Sequence, residues 1–540
     1  MLSTATGFQN MLKDGYRHYA GLEEAILRNI EACKEIANLT RTSYGPNCMK
    51  KMVVNHIDKI FITSDTATIL KEVEVQHPAA KLLAMAAKMQ EEDFGDATNY
   101  VVTFAGELLN LAEQLIKTGL HPSAIVSGFE TGLKETLAIL NEIETMKIES
   151  MQDQEKNALV IQPALAPKLP NHYKKFADLV AQGCVSCLKD SEPRFDKDNF
   201  RVVKLMGSSL EAAELLKGFV LVRAPETGPL KVEKAIVAVF NCPFDPQGGE
   251  TKGTVLLSNA NELLNYSKTE EDVAERIVKE VASSGVNVVA VGGSISELCL
   301  HYFSKYNIMV LKIQSKFETA RFARCVNASL ISKLGAPVKE ELGYADLLEV
   351  KEVGSTKVTI VRKESAGSKL VTLILRGSTT SQMEEVERVL SKGVSVFKAT
   401  LADARFVPGG SATESYLAQK IEKFGTTLPG LEQYACAKFG QAFEVFSRIL
   451  LENAGLNSNE QVGNLASLNA DKPATAVDVF EAKLAPVAEL KVYDHLATKI
   501  NAIKLATHAA LTVLRIDQII MAKPSGGPKL GQKKDWDADE

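Results

Sequence analysis

Apolar residues recur at helical spacing over Leu22, Ala25, Ile26, Ile30, Cys33, Ile36 and Ala37, and the turn chemistry of "YGPN" at 44–47 then stops the helix. "KIFITSDTATILKEV" is a short β-branched run that predicts a strand reaching Asp65 and turning there into a helix. "HPAAKLLAMAAKMQEED" opens with Pro78 in a first helical turn and runs to "FGD". Beyond Asp96, residues Val101, Val102, Phe104, Ala105, Leu108, Leu109 and Ala112 lay out a further amphipathic helix. The first quarter of the chain is therefore expected to be mostly helical.

The centre has another texture. "KAIVAVFNC", "VNVVAVGG" and "IMVLKI" read as buried strands, alternating with helical segments such as "SISELCLHYFSKY". "KVTIVRK" and "LVTLILRGS", separated by the turn-rich "ESAGSK", predict an antiparallel excursion that returns the chain from this β/α part. From about Asp403 the helical texture resumes through "LEQYACAKFGQAFEVFSRILLENAG" and "INAIKLATHAALTVLRIDQII". A helical start, a β/α centre and a helical end predict a central domain inserted into a helical one, which requires only that the chain ends at the junction lie close together. The final "MAKPSGGPKLGQKKDWDADE", which holds the sole tryptophan, Trp536, has little to bury and reads as a tail.

With 540 residues the chain exceeds what one hydrophobic core organises, so several domains are expected. At 45% hydrophobic and 24% charged residues, with a formal net charge of -5, nothing points to nucleic acid or a membrane as partner. The N-terminal stretch lacks a charged-then-apolar secretory pattern and no apolar run is long enough to span a bilayer, so a cytoplasmic protein is expected. The eight cysteines form no disulfide framework. Their one close pair, Cys184 and Cys187, reads as two thiols on one helix face rather than a zinc or redox site. Cys299 and Cys325 sit in apolar helical contexts and read as core, and His77 before Pro78 reads as a capping or packing residue.

"FGDATNYVV" at 94–102 poses the chemical question. A helix N-terminus presents unpaired N–H groups and a positive dipole end, and so can bind phosphate without a basic side chain. Gly95 permits an unusual backbone angle, Asp96 offers a hard oxygen for magnesium, and Thr98 and Asn99 add polar contacts. Asp is equally a preferred helix cap, so the stretch alone leaves both roles open. "YGPN", "ITSDTATIL" with Asp65 at a strand-to-helix turn, and "DARFVPGGSATE" at 403–414 are further turns of this kind, each ordinary alone and more specific in this order.

That ordered set resembles the group II chaperonin family, most closely one subunit type of the eukaryotic cytosolic chaperonin. "GLEEAILRNIEACKE", "EVQHPAAKLL", "NCPFDPQGGETKGTVLL", "PGLEQYA" and "AIKLATHAALTVLRIDQIIMAKP" carry it over nearly the whole chain, least between 150 and 175. The resemblance implies a multi-domain α plus α/β fold. Its parts would be an equatorial domain at 1–146 and 404–524, an intermediate domain at 147–216 and 368–403, an apical domain at 217–367 with a lid protrusion at about 247–278, and a tail at 525–540. It implies a protein-folding ATPase using ATP and Mg²⁺, in a hetero-oligomeric double ring with other chaperonin subunits, acting on unfolded clients such as actin and tubulin under a built-in lid. Carried over residue by residue, Gly45 and Pro46 approach the nucleotide through the backbone, and Asp96 ligates magnesium. Ala97, Thr98 and Asn99 hold phosphate. Asp65 and Asp403 position the attacking water, the latter brought in on closure. Gly409 and Gly410 line the base and ribose pocket, and Asp494 contacts the ribose.

The family pattern Gly-Asp-Gly-Thr-Thr stands here with Ala97 and Asn99, while Cys48, Thr66 and Ser411 stand where glycines are expected. A Cβ where the backbone needs positive φ costs about 1 kcal/mol or more. The resemblance thus leaves two readings, a working ATPase, which the surviving Asp65, Asp96 and Asp403 favour, and a hydrolysis-impaired structural and client-binding subunit. A dinucleotide enzyme is a third class, since "VVAVGGSISE" follows a strand and opens a helix, but GxGxxG and GxxxxGK[ST] are both missing.

Overall fold

A computed structural model describes residues 22–188, 195–245, 260–354, 356–363 and 370–519. The expected tail at 525–540 lies outside them, as does the expected protrusion from 247 to 259. The helix Ala260–Ser283 comes directly after that segment.

Both chain ends fold into one helical assembly. The helices Leu22–Arg41, Pro78–Asp93, Thr98–Lys117 and Pro122–Glu142 come from the N-terminal side. Ala412–Thr427, Glu432–Ala442, Glu444–Asn453 and Leu496–Leu514 come from the C-terminal side. A single apolar cluster takes residues from all eight, including Ile30, Leu83, Phe104, Phe129, Ile421, Phe439, Phe446 and Ile503. The expected long apolar stretch from 431 is broken in two at Phe443, the residue that caps one helix and opens the next. At the period-3.6 spacing of Thr98–Lys117 the apolar positions all face inward, leaving Phe104, Leu108 and Ala112 fully buried.

The β/α part is built on a nine-stranded sheet. The end of Lys231–Phe240, from Val237 on, runs parallel with Val288–Val291 and that strand with Met309–Lys312, and these stretches are buried on both faces up to Leu311, as continuous apolar runs require. "KVTIVRK" and "LVTLILRGS" differ from the expected excursion. The strands Thr356–Arg362 and Val371–Gly377 do not pair with each other, because Glu214–Leu221 lies between them and pairs antiparallel with both. The strand between is supplied by residues about 150 positions earlier, a non-local pairing with no trace in the turn that joins the two runs. The sheet also runs unbroken across 216/217, which falls inside Glu214–Leu221. Gly293, after the strand Val288–Val291, lies where a Cβ would stand 3.1 Å from Pro243, so close packing accounts for that glycine.

Another apolar cluster lies against the sheet. The helices Gln154–Leu165, Tyr173–Cys187 and the long Thr380–Ala402 pack together over the sheet edge, with Cys184 and Cys187 both buried on one helix face in it. Cys299 and Cys325 are fully buried core residues. His77 occupies the cap position before Pro78 without a side-chain cap bond.

Candidate functional site

The residue at the mouth of Thr98–Lys117 is Ala97, which occupies the N-cap position at φ 61°, ψ 21° and makes no side-chain cap bond. Asp96 is therefore not the cap of this helix. Gly95 before it is at φ +72°, and a Cβ there would meet the Ser395 side chain at 2.5 Å, so the turn lies directly on the long helix Thr380–Ala402. Gln90 Nε2 donates to the Asp96 carbonyl at 3.1 Å and to the Thr498 carbonyl at 3.3 Å, and Asn501 Nδ2 donates to Gln90 Oε1 at 2.9 Å. These bonds pin the backbone and leave the Asp96 carboxylate without an ion pair or side-chain hydrogen bond to a described residue. Asn99 is differently placed. Its Nδ2 donates to the Thr40 carbonyl at 3.1 Å and its Oδ1 accepts from Thr103 at 3.0 Å, so the amide ties two helices together.

Asp65 is the residue that caps a helix. At the start of Thr66–Glu72 its Oδ2 accepts from the Thr68 backbone N–H at 3.3 Å and from the Thr68 hydroxyl at 2.8 Å. Its Oδ1 accepts from Lys168 Nζ at 3.2 Å and from Lys392 Nζ. The carboxylate and the Lys392 and Lys168 ammonium groups are 4%, 7% and 11% exposed. Burial alone would push the Asp65 carboxyl up, yet the two lysine charges and the hydrogen bonds from Lys392 and Thr68 outweigh it and hold the group far below its ordinary 3.8. Burial likewise works against the Lys392 charge, and Asp65 and Asp96 overcome it and raise the ammonium above its ordinary value. For Lys168 burial and the neighbouring Lys392 prevail and lower it.

The remaining turns close the site from the C-terminal side. Asn453 Nδ2 donates to the Tyr44 carbonyl at 2.7 Å, just before Gly45 and Pro46. Cys48 Sγ donates to the Pro167 carbonyl at 3.1 Å, which brings that turn beside Lys168. Val477 N–H donates to the Gly410 carbonyl and Gly409 N–H to the Val492 carbonyl, each at 3.0 Å. Asp494 Oδ1 lies 3.2 Å from where a Cβ on Gly409 would stand. Lys499 Nζ bridges Glu414 and Asp494 at 2.7 Å to each. Tyr100 stacks on Phe446 at 3.9 Å, with its buried hydroxyl facing Glu414.

Gly45, Pro46, Asp65, Asp96, Ala97, Thr98, Gly409, Gly410 and Asp494 thus fall in turns that adjoin one another. Asp403 does not join Asp65. It ends the helix Thr380–Ala402, and its carboxylate accepts three bonds from Arg405, from the backbone N–H at 3.2 Å and from the guanidinium at 2.9 and 2.8 Å. Lys392, the residue of that helix which meets Asp65, lies eleven residues earlier, about 16 Å along the axis.

Magnesium prefers oxygen ligands and keeps several waters, so one open carboxylate together with phosphate oxygens suffices for it. Among the described residues no group of three or more His, Cys, Asp or Glu could hold a metal by itself. The fit is good at Asp96, an open hard oxygen beside a helix N-terminus. Beside it Thr66 Oγ1, next to Asp65, is buried without a hydrogen-bond partner.

Sequence reasoning missed Lys168, Lys392, Glu414 and Lys499. Lys168 and Lys392 stand 103 and 327 positions from Asp65, so no local spacing links them to it. The one available signal was Lys392 itself, a lysine on the inward stripe of Val389 and Val396, where an apolar residue belongs.

Comparison with known proteins agrees over almost the whole chain. Residues 36–524 match the TCP-1/cpn60 chaperonin family. The chain is 45% identical to the T-complex protein 1 subunit theta of Mus musculus over 540 residues, 99% of this chain and 98% of that one. It is 44% identical to the same subunit of Homo sapiens over equal shares. To that of Arabidopsis thaliana it is 46% identical over 97% of this chain and 96% of the other.

Proposed function

Since this chain belongs to the TCP-1/cpn60 chaperonin family, we propose that it serves as a nucleotide-binding subunit of a cytoplasmic hetero-oligomeric double ring that folds proteins. Its relatives are theta subunits of T-complex protein 1, which supports other chaperonin subunits as its partners and a theta-type place in the ring. In this reading the helical assembly from both chain ends is the equatorial domain, the β/α part is apical, and the cluster around Thr380–Ala402 is intermediate. Actin and tubulin are the proposed kind of client, and ATP-driven closure of a lid the proposed work.

The observation that carries nucleotide binding is the open Asp96 carboxylate, held by a pinned backbone at a helix mouth and ringed by the Gly45, Asp65 and Gly410 turns. ATP bound there would place phosphate at the first turn of Thr98–Lys117, with Asp96 on Mg²⁺ and Asp494, oriented by Lys499, at the ribose. The metal supplies charge neutralisation, and the chain supplies position. Asp403, held by Arg405, orders the start of the strand Arg405–Pro408 and takes no part in this proposal.

A second reading keeps binding and drops turnover in this subunit. It is favoured by Asp65, whose carboxylate accepts four hydrogen bonds and so has no acceptor position left for a water.

The test is ATP binding by particles purified through a tag on this chain, read at its own pocket in a cryo-EM map, with and without a chelator. Nucleotide in the wild-type pocket that chelation removes, and that Asp96→Asn weakens at least tenfold, is the expected result. Occupancy unaffected by both treatments would refute the metal-linked site.

A further inference from the structure

We infer that Lys392, by seating its ammonium on Asp65, makes this subunit one that takes up ATP and keeps it unhydrolysed while its ring neighbours turn theirs over. The inference rests on the nucleotide-binding reading and names the residue that decides the fate of the bound ATP.

Hydrolysis requires a water whose oxygen bonds to the terminal phosphorus as the bond to the bridging oxygen breaks, its electron pair going to ADP. The water's proton must pass to an acceptor. Asp65 is the carboxylate at this end of the site, and its four acceptor positions are filled by Thr68 N–H, the Thr68 hydroxyl, Lys168 and Lys392. Thr68 supplies two of the donors from the first turn of the helix that Asp65 caps, and Lys168 supplies the third from 103 positions away. The fourth arrives on the long helix and brings only donors, since an ammonium has no lone pair with which to accept a proton.

Lys392 is held where it is by its helix. Ser395, one turn further on, lies against Gly95, so the helix that carries Lys392 is seated on the Asp96 turn and keeps this buried side chain beside Asp65. Gly393 beside it packs on Ile161 and Leu165, which fixes the same stretch from the other side. Lys168 comes from the short connection between the helices Gln154–Leu165 and Tyr173–Cys187, whose Pro167 carbonyl accepts from Cys48 Sγ. Lys392 lies one turn before Ser395, the residue that abuts Gly95, which places its ammonium at the Asp96 end of the site. A fixed cation there favours a polyphosphate and gives nothing to a water. Uptake is then retained and turnover lost, and a subunit in this condition keeps its ATP contacts through a whole cycle of the ring.

The test uses assembled particles purified through a tag on this chain, incubated with Mg-ATP until the neighbouring pockets hold ADP, then imaged at a resolution that separates ATP from ADP. The expected wild-type result is ATP at this pocket with Lys392 density on Asp65. Lys392→Arg, which keeps the charge, should still hold ATP. Lys392→Asp, which places a proton acceptor at the same point, should show ADP when imaged at an ATP concentration that a separate binding titration shows to saturate its pocket. A purely structural role for Lys392 would not produce that split between Arg and Asp. ADP in the wild-type pocket would overturn the inference and leave the nucleotide site standing, and so would ATP in Lys392→Asp. An empty wild-type pocket beside occupied neighbours would overturn the nucleotide-binding reading itself. Since the wild-type arm needs no substitution, an unfolded variant does not spare the inference.

Discussion

Ala97 and Ser411 stand at φ +61° and +69°, a region that suits glycine and strains any other residue. These are two of the positions where glycine was expected from the family pattern, while Cys48 and Thr66 carry no such strain. The two do not respond alike. Ala97 makes no side-chain bond at its cap position, so Ala97→Gly should stabilise the protein by about 1 kcal/mol. Ser411 Oγ shares a 2.6 Å hydrogen bond with the buried Ser447 hydroxyl. Ser411→Gly relieves similar strain but orphans Ser447 at a cost of about 1–3 kcal/mol, so it should be neutral or destabilising. Thermal unfolding of the two variants decides this, and equal shifts would sink the distinction. At Asp65 the stakes are higher, because Asp65→Asn leaves Lys168 and Lys392 buried with no counter-charge on that oxygen, a loss of about 3–5 kcal/mol. Since the folded carboxyl lies below its ordinary 3.8, its contribution is complete above that value and lost as pH falls toward the folded one. The stability gap between wild type and Asp65→Asn should therefore be constant from pH 7 to about 5 and shrink below pH 4. A gap that widens on acidification would mean that the lysines do not hold the carboxylate.

At the level of elements, legibility tracked the range of the interaction that decides each one. The helices Pro78–Asp93 and Thr98–Lys117 were readable because period and proline placement are local, and the strands Val288–Val291 and Met309–Lys312 were readable because burial on both faces leaves unbroken apolar runs, Val288–Val291 and Met309 to Leu311. The pairing of Thr356–Arg362 and Val371–Gly377 was misjudged because a third strand, Glu214–Leu221, separates them, and strand order depends on where distant chain returns. The site divides in the same way. Its turns were visible, since Gly, Pro and Asp at strand and helix ends carry their own signature. The groups that fill them were not, since the Asp65 cations come from a connection and a long helix whose only common feature is where they end up. Asp96 was legible as a candidate and its question had a local answer, but that answer lies in the backbone of Ala97 rather than in residue type.

On the scale of the whole molecule, the two chain ends make one core, and the turns of the candidate site hang from it. Phe104 on the N-terminal side packs against Phe439, Phe443 and Phe446 with ring centroids 5.7, 4.5 and 6.0 Å away, all from the C-terminal side. Arg41 pairs with Glu452 and Arg515 with Glu130 across the same seam. The strands Val288–Val291 and Met309–Lys312 belong to other clusters, with no member in common with this one. Phe104→Ala should therefore cost about 3–5 kcal/mol in the helical assembly and leave the central sheet close to its original stability. Hydrogen exchange measures both at once. The amides of Thr98–Lys117 and Leu496–Leu514 should lose protection together although nearly the whole chain separates them, while those of Met309–Lys312 keep theirs. Because Gln90 links the Asp96 turn to Thr498 and Asn501, the same loosening should reach the phosphate end of the site and weaken nucleotide binding without touching a residue that contacts it. Loss of protection confined to the N-terminal helices would mean that the two ends are neighbours and not a single cooperative unit, and the inserted arrangement would then have no thermodynamic content.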